Sequence, residues 1–95
     1  MLKVLIAEDE LLIADLLEET LVENGYEVCG IARTVEDAVA LCEEHSPDLA
    51  VLDVRLAKGG RGPEIVQRMG VARQFGVLYA TGDDARISTL TARPR

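Results

Sequence analysis

The chain has 95 residues, 48% of them hydrophobic and 28% charged, and a formal net charge of −7. That length is one domain's worth of chain, and the composition is that of a globular chain, not a disordered one. The acidic balance argues against a nucleic-acid surface as direct partner, and no apolar stretch is long enough to span a membrane.

The first apolar run, Leu2–Lys3–Val4–Leu5–Ile6–Ala7, reads as a strand and stops at Glu8–Asp9–Glu10. Acids follow that run at once, so no secretory signal is expected and the cytoplasm is the expected compartment. Residues 10–24 then predict an amphipathic helix. Ile13, Leu16, Leu17 and Leu21 lie on its apolar face, Glu18, Glu19 and Glu23 on its wet face, and Asn24–Gly25 forms its stop. The alternating run from Tyr26 to Ala32 predicts a second strand. Thr34 is placed to cap the next helix, with Asp37 three residues on. Val35, Ala38, Val39 and Cys42 share one face of that helix, and His45 sits where a cation suits its C-terminus.

After Pro47 comes Asp48–Leu49–Ala50–Val51–Leu52–Asp53, an apolar run ending abruptly at a carboxylate. It reads as a buried central strand. Residues 54–63 form a loop whose three glycines either let backbone approach a ligand at Asp53 or simply make a flexible turn. Ile65, Val66, Met69 and Ala72 predict a third helix closing near Phe75–Gly76. A fourth strand, Val77–Leu78–Tyr79–Ala80, ends in Thr81–Gly82–Asp83–Asp84. Asp83–Asp84 predicts the start of a fourth helix with Ile87 and Leu90 inward.

Strand–helix repeated four times implies a parallel sheet covered on both faces. In the strand order 2-1-3-4, the first and third strands are neighbours about 4.8 Å apart. Glu8, Asp9 and Asp53 then meet at the carboxyl edge of the sheet, where open α/β sheets bind ligands. Charge points to the same pole. Residues 1–54 carry fourteen acids and two bases, whereas residues 55–95 carry three acids and eight bases. Cys29 and Cys42 lack metal spacing and read as buried thiols in a reducing compartment.

Three carboxylates in one pocket repel each other, and Mg²⁺, which takes oxygen ligands and commonly bridges carboxylates to phosphate oxygens, is the natural compensation. Beside it, Asp53 is a candidate nucleophile toward a phosphoryl group. The hydroxyl of Thr81, on the strand beside that of Asp53, is in position to donate to one phosphoryl oxygen.

In the order and spacing of the three strand-end stretches, Val4–Glu10, Asp48–Asp53 and Val77–Gly82, the chain resembles the response regulator receiver domains of two-component signalling. The resemblance runs from the first strand to about Arg86. It implies the flavodoxin-like doubly wound fold. Glu8 and Asp9 would be the acidic pair for Mg²⁺, Asp53 the phospho-acceptor, and Thr81, followed by Gly82, the switch hydroxyl. The backbone carbonyl of Arg55 would be a further metal ligand. The implied phosphoryl donor is a phosphohistidine on a sensor histidine kinase or phosphotransfer protein. Tyr79–Ala80–Thr81–Gly82 also resembles a receiver subgroup with Phe/Tyr-Ala-Thr-Gly at this strand.

The chain departs from the family at its C-terminal end. The family's fifth strand, with its phosphoryl-contacting lysine and switch aromatic, and the fifth helix after it are expected to be lacking. Lys3 and Lys58 are the only lysines. Lys58 is either a solvated loop residue or one able to swing toward the pocket. Without a fifth strand, the fourth strand would be an open edge inviting a homodimer through that strand or its helix. Arg55 and Asp83 either pair across the pocket mouth or stay independent solvated charges.

Three functions fit this reading. One is a stand-alone phosphoacceptor signalling through protein contacts. Another is a degenerate receiver acting as a binding or dimerisation module. The third, a Mg²⁺-dependent phosphohydrolase, usually wants a second Asp two residues past the nucleophile, where this chain has Arg55.

Overall fold

Continuous burial along the two central runs, with polar residues gathered at their ends, marks the middle of a five-stranded sheet in this computed structural model. The structure describes residues 1–54, 56–69, 76–81 and 86–91. The elements are β1 (Lys3–Ala7), α1 (Leu11–Glu23), β2 (Glu27–Ala32), α2 (Val35–His45), β3 (Leu49–Asp53), α3 (Gly62–Met69), β4 (Gly76–Thr81) and β5 (Arg86–Thr91), with a short 3-10 turn at Ala57–Gly59. The sheet order is β2-β1-β3-β4-β5. The first four strands are parallel in the expected 2-1-3-4 order.

Both faces are covered, as a doubly wound sheet requires. Leu5, Ala7, Ala50, Leu52 and Val77 point to one face and pack under Val35, Ala38 and Cys42 of α2 and Ile65 and Met69 of α3. Val4 and Val51 point to the other and meet Leu17 and Leu21 of α1. β1 and β3 are therefore apolar on both sides, which explains their unbroken hydrophobic runs. Register slips once between β1 and β2, where Val4 pairs with Val28 and Leu5 with Gly30, leaving Cys29 as the extra residue of a bulge. Neither cysteine forms a disulfide.

The helix termini follow their local chemistry. The backbone amide of Asp37 donates to Thr34 Oγ1 at 3.1 Å, capping α2 as expected. The side-chain amide of Asn24 donates to the Thr20 carbonyl at 2.7 Å, and Gly25 follows at φ 90°, the left-handed turn that ends α1. α3 starts at Gly62, inside the segment expected to be loop. Pro63 falls in its first turn, where a missing amide hydrogen costs nothing.

Two expectations are corrected. On α1, Leu16 is exposed and Ala14 is the buried residue. A small side chain at the centre of the contact lets the helix lie close to the sheet and turns Leu16 outward. The larger correction concerns residues 86–91, where a fourth helix was expected. They form β5, antiparallel to β4, with Gly76 opposite Thr91 and Thr81 opposite Arg86. This strand is antiparallel and carries no lysine, so it does not supply the lysine-bearing fifth strand of the family, but β4 is not the open edge that was expected. The three-residue spacing of Ile87 and Leu90 suits a helix, but β-branched Ile87, Thr89 and Thr91 favour an extended chain. The β4 edge offered them a backbone partner. Ala72 and Asp83–Asp84, assigned to the third and fourth helices from sequence, lie outside the described residues.

Candidate metal and phosphoryl site

Parallel β1, β3 and β4 end at the same edge of the sheet, and Glu8, Asp9, Asp53 and Thr81 arrive there from the sequence. Ala7 pairs with Leu52 and Asp53 with Ala80 in register, so the residues just beyond the end of β1 and the last residue of β4 lie on either side of Asp53. One carboxylate oxygen from each of Glu8, Asp9 and Asp53 can be chosen such that all three lie within 4.8 Å of one another. This is the convergence expected from the strand order.

The three acids differ in environment. Asp9 and Asp53 are half-buried, whereas Glu8 is 2% exposed. The backbone amide of Glu8 donates to the Ala32 carbonyl at 2.8 Å, which fixes the chain as it leaves β1. Its Oε2 accepts from the Glu10 amide at 3.1 Å. Burial pushes the Glu8 carboxyl up to about 7, the Glu10 amide works against that shift, and the charge of Asp53, a hydrogen bond to it and the charge of Asp9 add to it. This acid therefore keeps its proton to a higher pH than an ordinary carboxyl.

This donor set fits a hard divalent cation. It offers oxygen only, and it concentrates acids where at least one is driven to stay protonated unless positive charge arrives. A cation held by Glu8, Asp9 and Asp53 would displace that proton.

The loop following Asp53 is short and tied down. The Gly62 amide donates to the Val54 carbonyl at 2.9 Å and the Leu56 amide to the Gly60 carbonyl at 2.8 Å. The Arg61 amide donates to Glu64 Oε1 at 3.0 Å, one half of a capping box on α3. Gly59 sits at φ 75°, and Lys58 also adopts a left-handed conformation, at φ 62°. These bonds tie the described part of the loop to the end of β3 and the start of α3.

Thr81 closes β4 as expected. Arg55, Gly82 and Asp83 lie outside the described residues, and with them the expected carbonyl ligand and the mouth pair. Sequence reasoning missed Gly62. Its signal was present, since a Gly-Pro pair opening a helix nine residues after Asp53 needs a reason.

A family model described as "Response regulator receiver domain" matches residues 4–93. Among curated proteins, the transcriptional regulatory protein PdtaR of Mycobacterium tuberculosis is 50% identical over 56 residues, covering 59% of this chain and 27% of that protein. Among solved structures, the response regulator PhyR from Brucella abortus superposes with a TM-score of 0.80 at 35% identity, covering 83% of this chain and 32% of that one. The anti-anti-sigma factor PhyR from Bartonella quintana, solved in complex with the anti-sigma factor NepR, superposes with a TM-score of 0.78 at 29% identity, covering 99% of this chain and 41% of that one. The chain thus spans about a quarter to two fifths of the length of these relatives. With its sheet order, its acidic strand ends and a family match along nearly its whole length, the chain belongs to the response regulator receiver domain family.

Proposed function

We propose that this chain is a phosphoacceptor of a two-component system, taking a phosphoryl group from a phosphohistidine onto Asp53 with Mg²⁺ and signalling through protein contacts. The observation that carries this reading is the meeting of Glu8, Asp9 and Asp53 within 4.8 Å at the carboxyl edge of the sheet. In the step proposed, a carboxylate oxygen of Asp53 attacks phosphorus. The phosphorus–nitrogen bond breaks, its electron pair returns to the donor imidazole, and an acyl phosphate forms on Asp53. Glu8, Asp9, Asp53 and the Arg55 carbonyl would hold the metal. When bound, a magnesium ion supplies positive charge that offsets the three carboxylates and the phosphoryl oxygens. Buried Glu8 positions its carboxylate beside Asp53 and releases its proton as the site fills. The Thr81 hydroxyl and the Gly82 backbone contact the phosphoryl oxygens. If Arg55 and Asp83 pair at the mouth and are not independent solvated charges, the pair would slow the entry of water.

The chain accepts the phosphoryl group and passes a signal; Arg55 stands where a phosphohydrolase of this fold would carry its second Asp. The donor is a sensor histidine kinase or phosphotransfer protein, and the setting is the cytoplasm. No helix among the described residues is long and apolar enough to cross a membrane. The PhyR–NepR complex supports a readout by protein contacts, and the net charge of −7 argues against nucleic acid as a direct partner. The fourth-strand seam expected for a homodimer is occupied by β5, so self-association is assigned to the outer edge of β5.

Incubation with acetyl phosphate and Mg²⁺ tests the reading by mass spectrometry. A gain of one phosphoryl group, lost in Asp53→Ala, is expected. An unlabelled wild type would favour the degenerate receiver, a binding or dimerisation module without phospho-switching. Decay of the label in the same assay reads the mouth pair, and equal rates in the wild type and Arg55→Ala would remove it.

A further inference from the structure

Gly62 is the first residue of α3, and its backbone lies directly against the end of β3. A Cβ placed there would overlap the carbonyl oxygen of Asp53. It would also lie 3.2 Å from the carbonyl carbon of Asp53 and 3.4 Å from the Cβ of Leu52. Conformational freedom is not the reason for glycine here. Gly25 and Gly59 have positive φ and nothing within 4 Å of such a Cβ, whereas Gly62 has no positive φ and has backbone in the way. A glycine of this kind marks a close approach of two backbones.

We infer that Gly62 is a positioning residue for the acceptor carboxylate, its bare Cα setting where the backbone of Asp53 can sit. This rests on the reading of Asp53 as acceptor. Both sides of the contact are anchored. Ile65 and Met69 hold α3 in the core, and Leu52 holds β3 from the same core cluster. The Gly62 amide is bonded to the Val54 carbonyl, one residue past Asp53, so strand end and helix start are locked as a unit. Asp53 is the last strand residue and is half-buried, so a side chain at position 62 is relieved where the strand is least held, at Asp53. The displacement falls on the one carboxylate that must meet Glu8, Asp9 and the incoming phosphorus together.

Gly62→Ala is compared with the wild type and with Gly25→Ala, which carries backbone strain far from the site. Mg²⁺ affinity is measured by calorimetry and Asp53 labelling by acetyl phosphate. In Gly62→Ala, metal affinity should fall about tenfold, as for residues that orient ligands, and labelling about a hundredfold, as for ångström-scale misplacement of a reacting group. Gly25→Ala should lose stability while its folded form keeps both. Wild-type metal affinity and labelling in a folded Gly62→Ala would overturn the inference.

If Gly62→Ala does not fold, hydrogen exchange in the wild type decides. The Gly62 amide should be protected like the amides of β3, and exchange at the rate of an open loop would overturn the lock. A wild type that neither binds Mg²⁺ nor takes label would defeat the acceptor reading alone. The backbone shift of Asp53 between the wild type and Gly62→Ala would still report the positioning, and an unmoved Asp53 signal would end it.

Discussion

Glu8 concentrates the physics of the site at the residue scale. It is a buried acid whose carboxyl is pushed up from the ordinary 4.5 to about 7, first by burial and then by Asp53 and Asp9. The folded chain binds this proton more tightly than the unfolded chain does. The contribution of Glu8 to stability is therefore complete below the ordinary value and is lost as pH rises through about 7. Glu8→Gln stays neutral throughout. The melting temperature of Glu8→Gln relative to the wild type should thus climb between about pH 4.5 and 7 and then level off. A flat difference across that window would remove the account. The same proton competes with metal, so Mg²⁺ affinity in the wild type should rise by up to about tenfold per pH unit below 7 and flatten above it. That Glu8 and Asp9 are site acids was legible in the sequence because they end an apolar strand. That Glu8 is the buried member was not, since burial depends on Ala32, Asp53 and the adjoining strands arriving around it.

At the scale of elements, caps and stops carried most of the legible information. Thr34 bonds the Asp37 amide at 3.1 Å, and Asn24–Gly25 ends α1, because these are contacts within a few residues. Thr34→Ala should cost about 1 kcal/mol, read as a lower urea midpoint with an unchanged slope. No loss would mean that α2 is held by Val35, Ala38 and Cys42 without help from its cap. The face of α1 was legible only in part. Its periodicity permits several rotations, and the sheet selected the one that buries Ala14 and leaves Leu11, Leu12 and Leu16 exposed. Residues 86–91 failed more fully as a sequence reading. Six residues with two apolar positions do not choose between helix and strand, and pairing with β4 made the choice.

At the scale of the whole molecule, the strand that closes the β4 edge is itself an edge among the described residues. β5 carries no lysine or proline, and Arg86 is its only charged residue, so it lacks the usual guards against pairing. Light scattering at high concentration should report a dimer, and a monomer there would remove the β5 seam. Apolar runs ending in carboxylates, alternating with helices under a fixed handedness, made a parallel sheet legible in the chain and left few strand orders. The order 2-1-3-4, under which three acids meet at one edge, came from the resemblance to the receiver family. Only the tertiary structure decided which acid is buried, which way α1 faces, that residues 86–91 extend the sheet, and that Gly62 must be bare. Each of those depends on what another, distant part of the chain places alongside, and local spacing carries no record of that.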